Sequence, residues 1–203
     1  MSEYTAAEAN LLLSIARDTL ETITRDSRFQ RVVIDSSVIL NRVMVDELPL
    51  SLLEPRACFI TLEMLKSGQL RGCTGTLQAR LPLVEEVIQS TYHTAFFDPR
   101  FLPVSADETP NIRIEISILT PSRPLPYTDV RDLIEKLHPG VDGVTLIYGM
   151  KRATFLPQVW ERFAVPELFL NALCQKMGMP PDSWRTHKFG VETYTAIKIV
   201  ESD

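Results

Sequence analysis

The sequence is poor in the residues that staple a chain together. Its three cysteines, Cys58, Cys73 and Cys174, are widely spaced and form no CxxC pair. That excludes a disulfide framework and a zinc ribbon. The three histidines, His93, His138 and His187, lack the i, i+3 or i, i+4 spacing of a metal-binding helix, so neither a metal nor a cofactor is expected. No Lys/Arg run accompanies the net charge of −5, which argues against a nucleic-acid backbone as the main partner. No apolar run approaches the roughly 20 residues that span a bilayer. The opening MSEYTAAEAN has none of the basic-then-apolar layout of a signal peptide. A GxSxG elbow and a P-loop are both missing. Together these absences predict a reduced, cytoplasmic protein that engages neither membrane nor nucleic acid.

What is present is an ordinary globular composition, 45% apolar and 23% charged over 203 residues. A chain of this length withdraws roughly 70% of its unfolded surface from water without metal or disulfide support. Thr5 and Glu8 form a capping box, and Leu12, Ile15, Ala16, Leu20 and Ile23 follow at helical spacing to about Thr24. VVIDSSVILNRVMVDELPLSLLEP, broken by Pro49 and Pro55, reads as helix turns mixed with loop. RACFITLEM and QLRGCTGTLQ flank a Ser67-Gly68 turn and predict a β-hairpin. Pro82 opens a helix that carries Leu83, Val87, Ile88, Tyr92 and Ala95 inward and ends before FDPRF. NIRIEISIL alternates, isoleucines on one side and Arg113, Glu115 and Ser117 on the other, as a half-buried strand does. DVRDLIEKLHPG predicts a short helix ending near Gly140. GVTLIYGMKRATFL predicts a second hairpin, and PELFLNALCQKMG a helix with a stripe of Leu168, Phe169, Ala172, Leu173, Lys176 and Met177. VETYTAIKIV closes as one alternating strand. Hairpins with helices of uneven length point to an α+β fold, an antiparallel sheet flanked by helices, with any second lobe woven into the chain.

The segment SGQLRGCTGTLQ concentrates the chemistry. A thiolate is the nucleophilic form of cysteine, and a neighbouring cation favours it. In a regular strand Arg71 and Cys73 share a face. Gly72 and Gly75 remove bulk, so that a ligand or another backbone segment can approach; equally, such glycines mark bulges. A thiol enzyme needs a base, for which His93 and Glu115 are the available groups, although an outward-facing histidine and a solvated carboxylate are the plainer readings. Asp98 in FDPRF suits a turn or cap, and Arg100 suits an anion or a pair with Asp98. His138 reads as a helix-end residue and His187 as a loop residue. Gln158 and Trp160 stand at a strand-to-helix junction, where an amide and an indole serve a polar ligand or the core.

These residues resemble the AMMECR domain family, whose microbial members are called AmmeMemoRadiSam system protein A. The likeness runs through LPLSLLEPRACFITLEMLKSGQLRGCTGTL, LVEEVIQSTYHTAFFDPRFLPV, IRIEISILTPSRPL, GVDGVTLIYGMKRATFLPQVW and FLNALCQKMGMPPDSW, most of the chain after about residue 47. Leu70 to Gly75 matches the family signature, with Thr74 where an aliphatic residue is usual and His93 where a small one is. The resemblance implies a single AMMECR domain over residues 1–203, with a larger and a smaller lobe and a cleft between them. It also implies association with a Memo-like dioxygenase-fold protein and a radical S-adenosylmethionine protein. It supplies no reaction. The expected function is therefore ligand or partner binding at Leu70, Arg71, Gly72, Thr74 and Gly75, with Asp98, Arg100, Glu115 and Gln158 contributing. The alternative is an enzyme using Cys73 as catalytic nucleophile.

Overall fold

The computed structural model describes residues 4–26, 29, 34–42 and 48–202. Two compact units result, one from the described residues up to Leu119 together with those from Ile197 onward, the other from Thr120–Ala196. Each has its own antiparallel sheet and its own core.

In the first unit, α1 (Ala6–Arg25) opens on the capping box of Thr5 and Glu8 and buries Leu12, Ile15, Ala16, Thr19, Leu20 and Ile23. Short α2 (Ser36–Leu40) is capped by Asp35, and α3 (Leu50–Leu53) follows Pro49. Helix turns and loop are thus what this stretch contains, although residues 32–33 and 43–47 lie outside the described residues. β1 (Cys58–Met64) and β2 (Leu70–Gly75) form the first hairpin, and α4 (Leu83–Phe96) returns over both strands and against α1. Pro82 sits at the cap of α4 and Leu83 is its first helical residue.

β3 (Ile112–Leu119) pairs with β1 throughout, and the sheet runs β2-β1-β3-β8. Its helix-covered face holds Cys58, Ile60, Leu62, Ile112, Ile114, Ile116 and Ile118, all buried. Each large apolar side chain so withdrawn contributes about 1.5–3 kcal/mol. The alternation read for β3 holds only at its start, because Ser117 and Leu119 are buried too. Arg17 ties α1 to the sheet: its guanidinium pairs with Glu201 and donates to the carbonyls of Thr109 (3.0 Å) and Ile112 (2.7 Å).

In the second unit, β4 (Arg123–Pro124), β5 (Gly143–Tyr148), β6 (Lys151–Phe155) and β7 (Gly190–Tyr194) are ordered β4-β7-β5-β6. The β5–β6 hairpin is the one expected. Helix α5 (Val130–Lys136) stops short of Gly140. Pro139 disfavours helical geometry at His138, whose N–H goes instead to Asp142 Oδ2 at 2.7 Å. His138 therefore lies beyond the helix rather than in its last turn. Helix α6 (Pro166–Lys176) buries Phe169, Leu170, Leu173 and Cys174, so its stripe is rotated from the expected one and Leu168 is exposed. Short α7 (Ser183–Thr186) precedes β7.

VETYTAIKIV is not one strand. Its first half is β7, and its second half is β8 (Ala196–Val200), the last strand of the other sheet. Thr195 breaks the run: it gives its N–H to Thr120 Oγ1 (2.8 Å) and accepts the Thr120 N–H (2.9 Å). Alternation reports which side a residue faces, not which sheet the strand joins, so the sequence pattern conceals the break.

Candidate functional site

The signature segment is β2, an edge strand of the first sheet. Gly68, with φ +65°, makes the preceding turn. The register runs Gly75 opposite Phe59, Thr74 opposite Ile60, Cys73 opposite Thr61 and Gly72 opposite Leu62, and then jumps to Leu70 opposite Glu63. Arg71 is the extra residue of a β-bulge. The two-residue alternation that would align it with Cys73 is broken at that point.

The glycines serve the protein's own packing. A Cβ on Gly72 would lie 2.9 Å from both Cγ2 and the carbonyl oxygen of Thr94 on α4. A Cβ on Gly75 would lie 2.2 Å from the Cys58 carbonyl oxygen and 2.6 Å from Phe59 Cα. The gap expected for a ligand is therefore filled by the chain itself, which was the other reading of these glycines. Thr74 also faces the helix, its Oγ1 hydrogen-bonded to Thr94 Oγ1 at 2.7 Å.

Both arginines are engaged. Arg71 donates from Nε to Glu108 Oε1 (2.8 Å) and from Nη2 to Glu108 Oε2 (3.1 Å) and the Leu102 carbonyl (3.0 Å). Its Nη1 is buried with no hydrogen-bond partner among the described residues. The hydrogen bond from Arg71 holds the Glu108 carboxyl below the usual carboxylate range. Arg71 is accordingly a tether for the loop after α4 rather than a free cation beside the thiol.

A cation does bind Cys73, and it is Arg100. Its Nη2 donates to the Cys73 carbonyl (3.0 Å), while the Cys73 N–H donates to Asp98 Oδ2 (2.8 Å). Asp98 and Arg100 also bind each other through Nε–Oδ1 (2.9 Å) and Nη2–Oδ2 (2.7 Å). That bidentate hydrogen bond, more than any other contact, pushes the buried Asp98 carboxyl far below its ordinary range, and Asp98 in turn raises Arg100. The Cys73 backbone groups point away from β1, and the Asp-Pro-Arg element occupies them as a neighbouring strand would.

The side chain of Cys73 lies on the face of the sheet away from the helices. Thr61 stands opposite Cys73 on one side and opposite Glu115 on the other, so the three form a row on one face. Thr61 Oγ1 donates to Cys73 Sγ at 3.4 Å. Glu115 accepts from Ser117 Oγ (3.2 Å) and pairs with Lys198 Nζ (3.4 Å). Two strand spacings, about 9–10 Å, separate Cys73 from Glu115, with the Thr61 hydroxyl between them. His93 is exposed on α4 and its Nδ1 meets the Gln89 carbonyl at 2.8 Å. Gln158 belongs to the second unit, half-buried in a 3₁₀ turn beside Trp160, whose indole stacks on Phe169 at 3.7 Å. Cys73 is the half-exposed thiol; Cys58 and Cys174 are buried, and burial pushes both thiols up.

Sequence reasoning missed Glu108, Thr61 and Lys198, which reach the site only through tertiary contacts. It also missed two apolar side chains that form a rim with the expected Leu70, which is 41% exposed: Leu102 is 83% exposed and Phe97 50%. All three lie on the segments that meet at Arg71 and Cys73. Among the described residues there is no group of three or more His, Cys, Asp or Glu that could hold a metal ion, and no helix long and apolar enough to cross a membrane.

The family model AMMECR1 matches residues 13–199. The chain belongs to the AMMECR1 family. Protein MJ0810 of Methanocaldococcus jannaschii is 36% identical over 177 residues, covering 87% of each chain. A protein of Methanothermobacter thermautotrophicus is 34% identical over 197 residues, covering 92% of this chain and 93% of its own. The crystal structure of the uncharacterized protein PH0010 from Pyrococcus horikoshii is similar, with a TM-score of 0.76 and 28% identity over 97% of this chain and 93% of that one. The AMMECR1 match takes in β2, its clamp and nearly all of both units. Family membership fixes the fold; the reaction or partner has to be argued from the site.

Proposed function

We propose that this AMMECR1 chain is a cytoplasmic protein-binding domain, made of both units, whose contact surface is the rim of the signature strand. One observation carries the reading. The charged groups of the signature are already satisfied by Glu108, Asp98 and backbone, whereas Leu70, Phe97 and Leu102 around them remain exposed. An anionic metabolite would have to compete with two internal ion pairs, while an apolar rim around a rigid polar centre suits a protein partner. Arg71, Asp98 and Arg100 then act as positioning residues, Gly72, Thr74 and Gly75 as framework, and Leu70 as contact. Gln158 belongs to the other unit and is not used in this reading.

The Memo-like and radical S-adenosylmethionine proteins are the partners to try first. Phe97→Ser and Leu102→Asp, each verified as folded by circular dichroism, should weaken binding to such a partner by about tenfold or more, the cost of losing one hot-spot side chain. Undenatured mass spectrometry reads the complexes. Folded variants that bind like wild type would remove the proposal.

A second reading has its own support in the row of Cys73, Thr61, Glu115 and Lys198, which offers a thiol, a hydroxyl and a charge pair on one face. Under it, Cys73 is a nucleophile rather than part of a binding surface. Iodoacetamide labelling against pH tests it, since a catalytic thiol inflects below about 8.5.

A further inference from the structure

A sheet edge is a template for another strand, and proteins close such edges by charge, by bulges or by covering. On β2 the covering is made of side chains. The Cys73 N–H and C=O, both turned outward, meet a carboxylate at 2.8 Å and a guanidinium at 3.0 Å. Asp98 is buried, but the Arg100 side chain is 52% exposed. One half of the clamp therefore already borders water, and swinging it out gives up its bonds to Asp98 and the Cys73 carbonyl and its place over the Phe101 ring, 5.5 Å from the centroid. The bulge at Arg71 limits the free edge to the residues beyond it, and the exposed Leu70 and Leu102 flank it.

We propose that the Asp98–Arg100 pair is a displaceable latch on the edge of β2, and that the partner's contacting element is an extended peptide strand that pairs with the Cys73 backbone when the latch opens. Donor and acceptor on Cys73 supply the hydrogen bonds common to strand addition, and the leucines supply contact for alternate side chains of the incoming segment. A helix would leave the backbone pair unused. The inference rests on the protein-binding reading above, but its test needs only this chain.

Removing the latch should let two copies pair edge to edge, a second copy standing in for the partner's strand. Such a two-fold pairing brings the Cys73 residues of two chains opposite one another, about 5.5 Å apart at Cα and within disulfide range. Cys58 and Cys174 are buried, so Cys73 is the thiol that reports. In Asp98→Ala/Arg100→Ala, amide exchange at Cys73 should accelerate by about ten- to a hundredfold, the factor one hydrogen bond to a charged group is worth. Its sedimentation coefficient should rise with concentration, and oxidised glutathione should link it through Cys73, while wild type stays unlinked. Asp98→Asn, which keeps a carbonyl oxygen over the Cys73 N–H, should stay unlinked as well. Asp98→Ala alone, which frees the Cys73 N–H and removes the anchor of Arg100, carries the same comparison if the double variant does not fold.

A folded variant with a fast-exchanging Cys73 amide that neither associates nor cross-links overturns the inference. So does wild type cross-linking as fast as the variant. If Leu102→Asp abolishes partner binding while the latch variants stay unpaired, the binding surface stands and the strand mode falls. The reverse outcome sinks the surface and keeps the latch.

Discussion

The outer strands of the two hairpins, β2 and β6, both end their sheets, and they are closed in different ways. β6 pairs with β5 without a break from Val144–Phe155 to Tyr148–Lys151. It begins with exposed Lys151 and Arg152, and Lys176 Nζ takes the Thr154 carbonyl at 2.9 Å. A short strand and edge cations are sufficient defence. β2 carries glycines and a thiol instead, is bulged, and is covered by Asp98 and Glu108, which lie 25 and 37 positions from their partners Cys73 and Arg71. β6 carries exposed cations of its own besides the one that α6 lends it, whereas the cover of β2 is supplied mainly from elsewhere, and what is supplied from elsewhere can be withdrawn.

The contrast is sharpest at the glycines. Gly75→Ala drives a methyl group into backbone and should cost about 3 kcal/mol or more, seen as a large fall in the urea midpoint. Gly149→Ala at the β5–β6 turn meets no atom within 4 Å but keeps φ at +58°, and should cost only about 1–2 kcal/mol. Equal losses would erase the distinction.

Next in size is Asp98→Ala, which takes a charged partner from the part-buried Cys73 N–H and from Arg100 and should cost about 2–3 kcal/mol. Because the folded carboxyl is held far down by Arg100, its contribution is complete above the unfolded value of about 3.9 and is lost as pH falls through the folded pKa. Acid titration of stability should therefore be shallower in Asp98→Asn than in wild type. Arg71→Ala releases the loop from the bulge and should lose about 1–2 kcal/mol, with faster amide exchange at Ser105, whose N–H is held by Glu108. Smallest is Cys73→Ser, expected within about 1 kcal/mol of wild type. It should remove the one site that iodoacetamide labels in the folded chain.

Most local structure was legible before any coordinates. The capping box of Thr5 and Glu8, both hairpins and the isoleucine row of β3 follow from spacing and turn residues acting over a few positions. Errors arose where tertiary context decides. A bulge at Arg71 cannot be read from LRGCTG, since it depends on what β1 offers opposite. The engagement of Arg71 by Glu108 and of Cys73 by Asp98 crosses most of a helix and a loop. Thr195 divides an unbroken alternating run because two sheets, not one, bid for its halves. The family likeness identified the right segment, but only the packing shows that its glycines serve Thr94 and Phe59.

That division at Thr195 has a consequence for how the molecule is made. The first unit begins with α1 and is closed by β8, with the whole of the second unit lying between them in the chain. A ribosome delivering the polypeptide from its amino end presents β1, β2 and β3 long before their fourth neighbour, and Arg17 must wait for Glu201. The middle unit, contiguous in sequence, can settle first, whereas the sheet of the unit that flanks it is among the last to be finished.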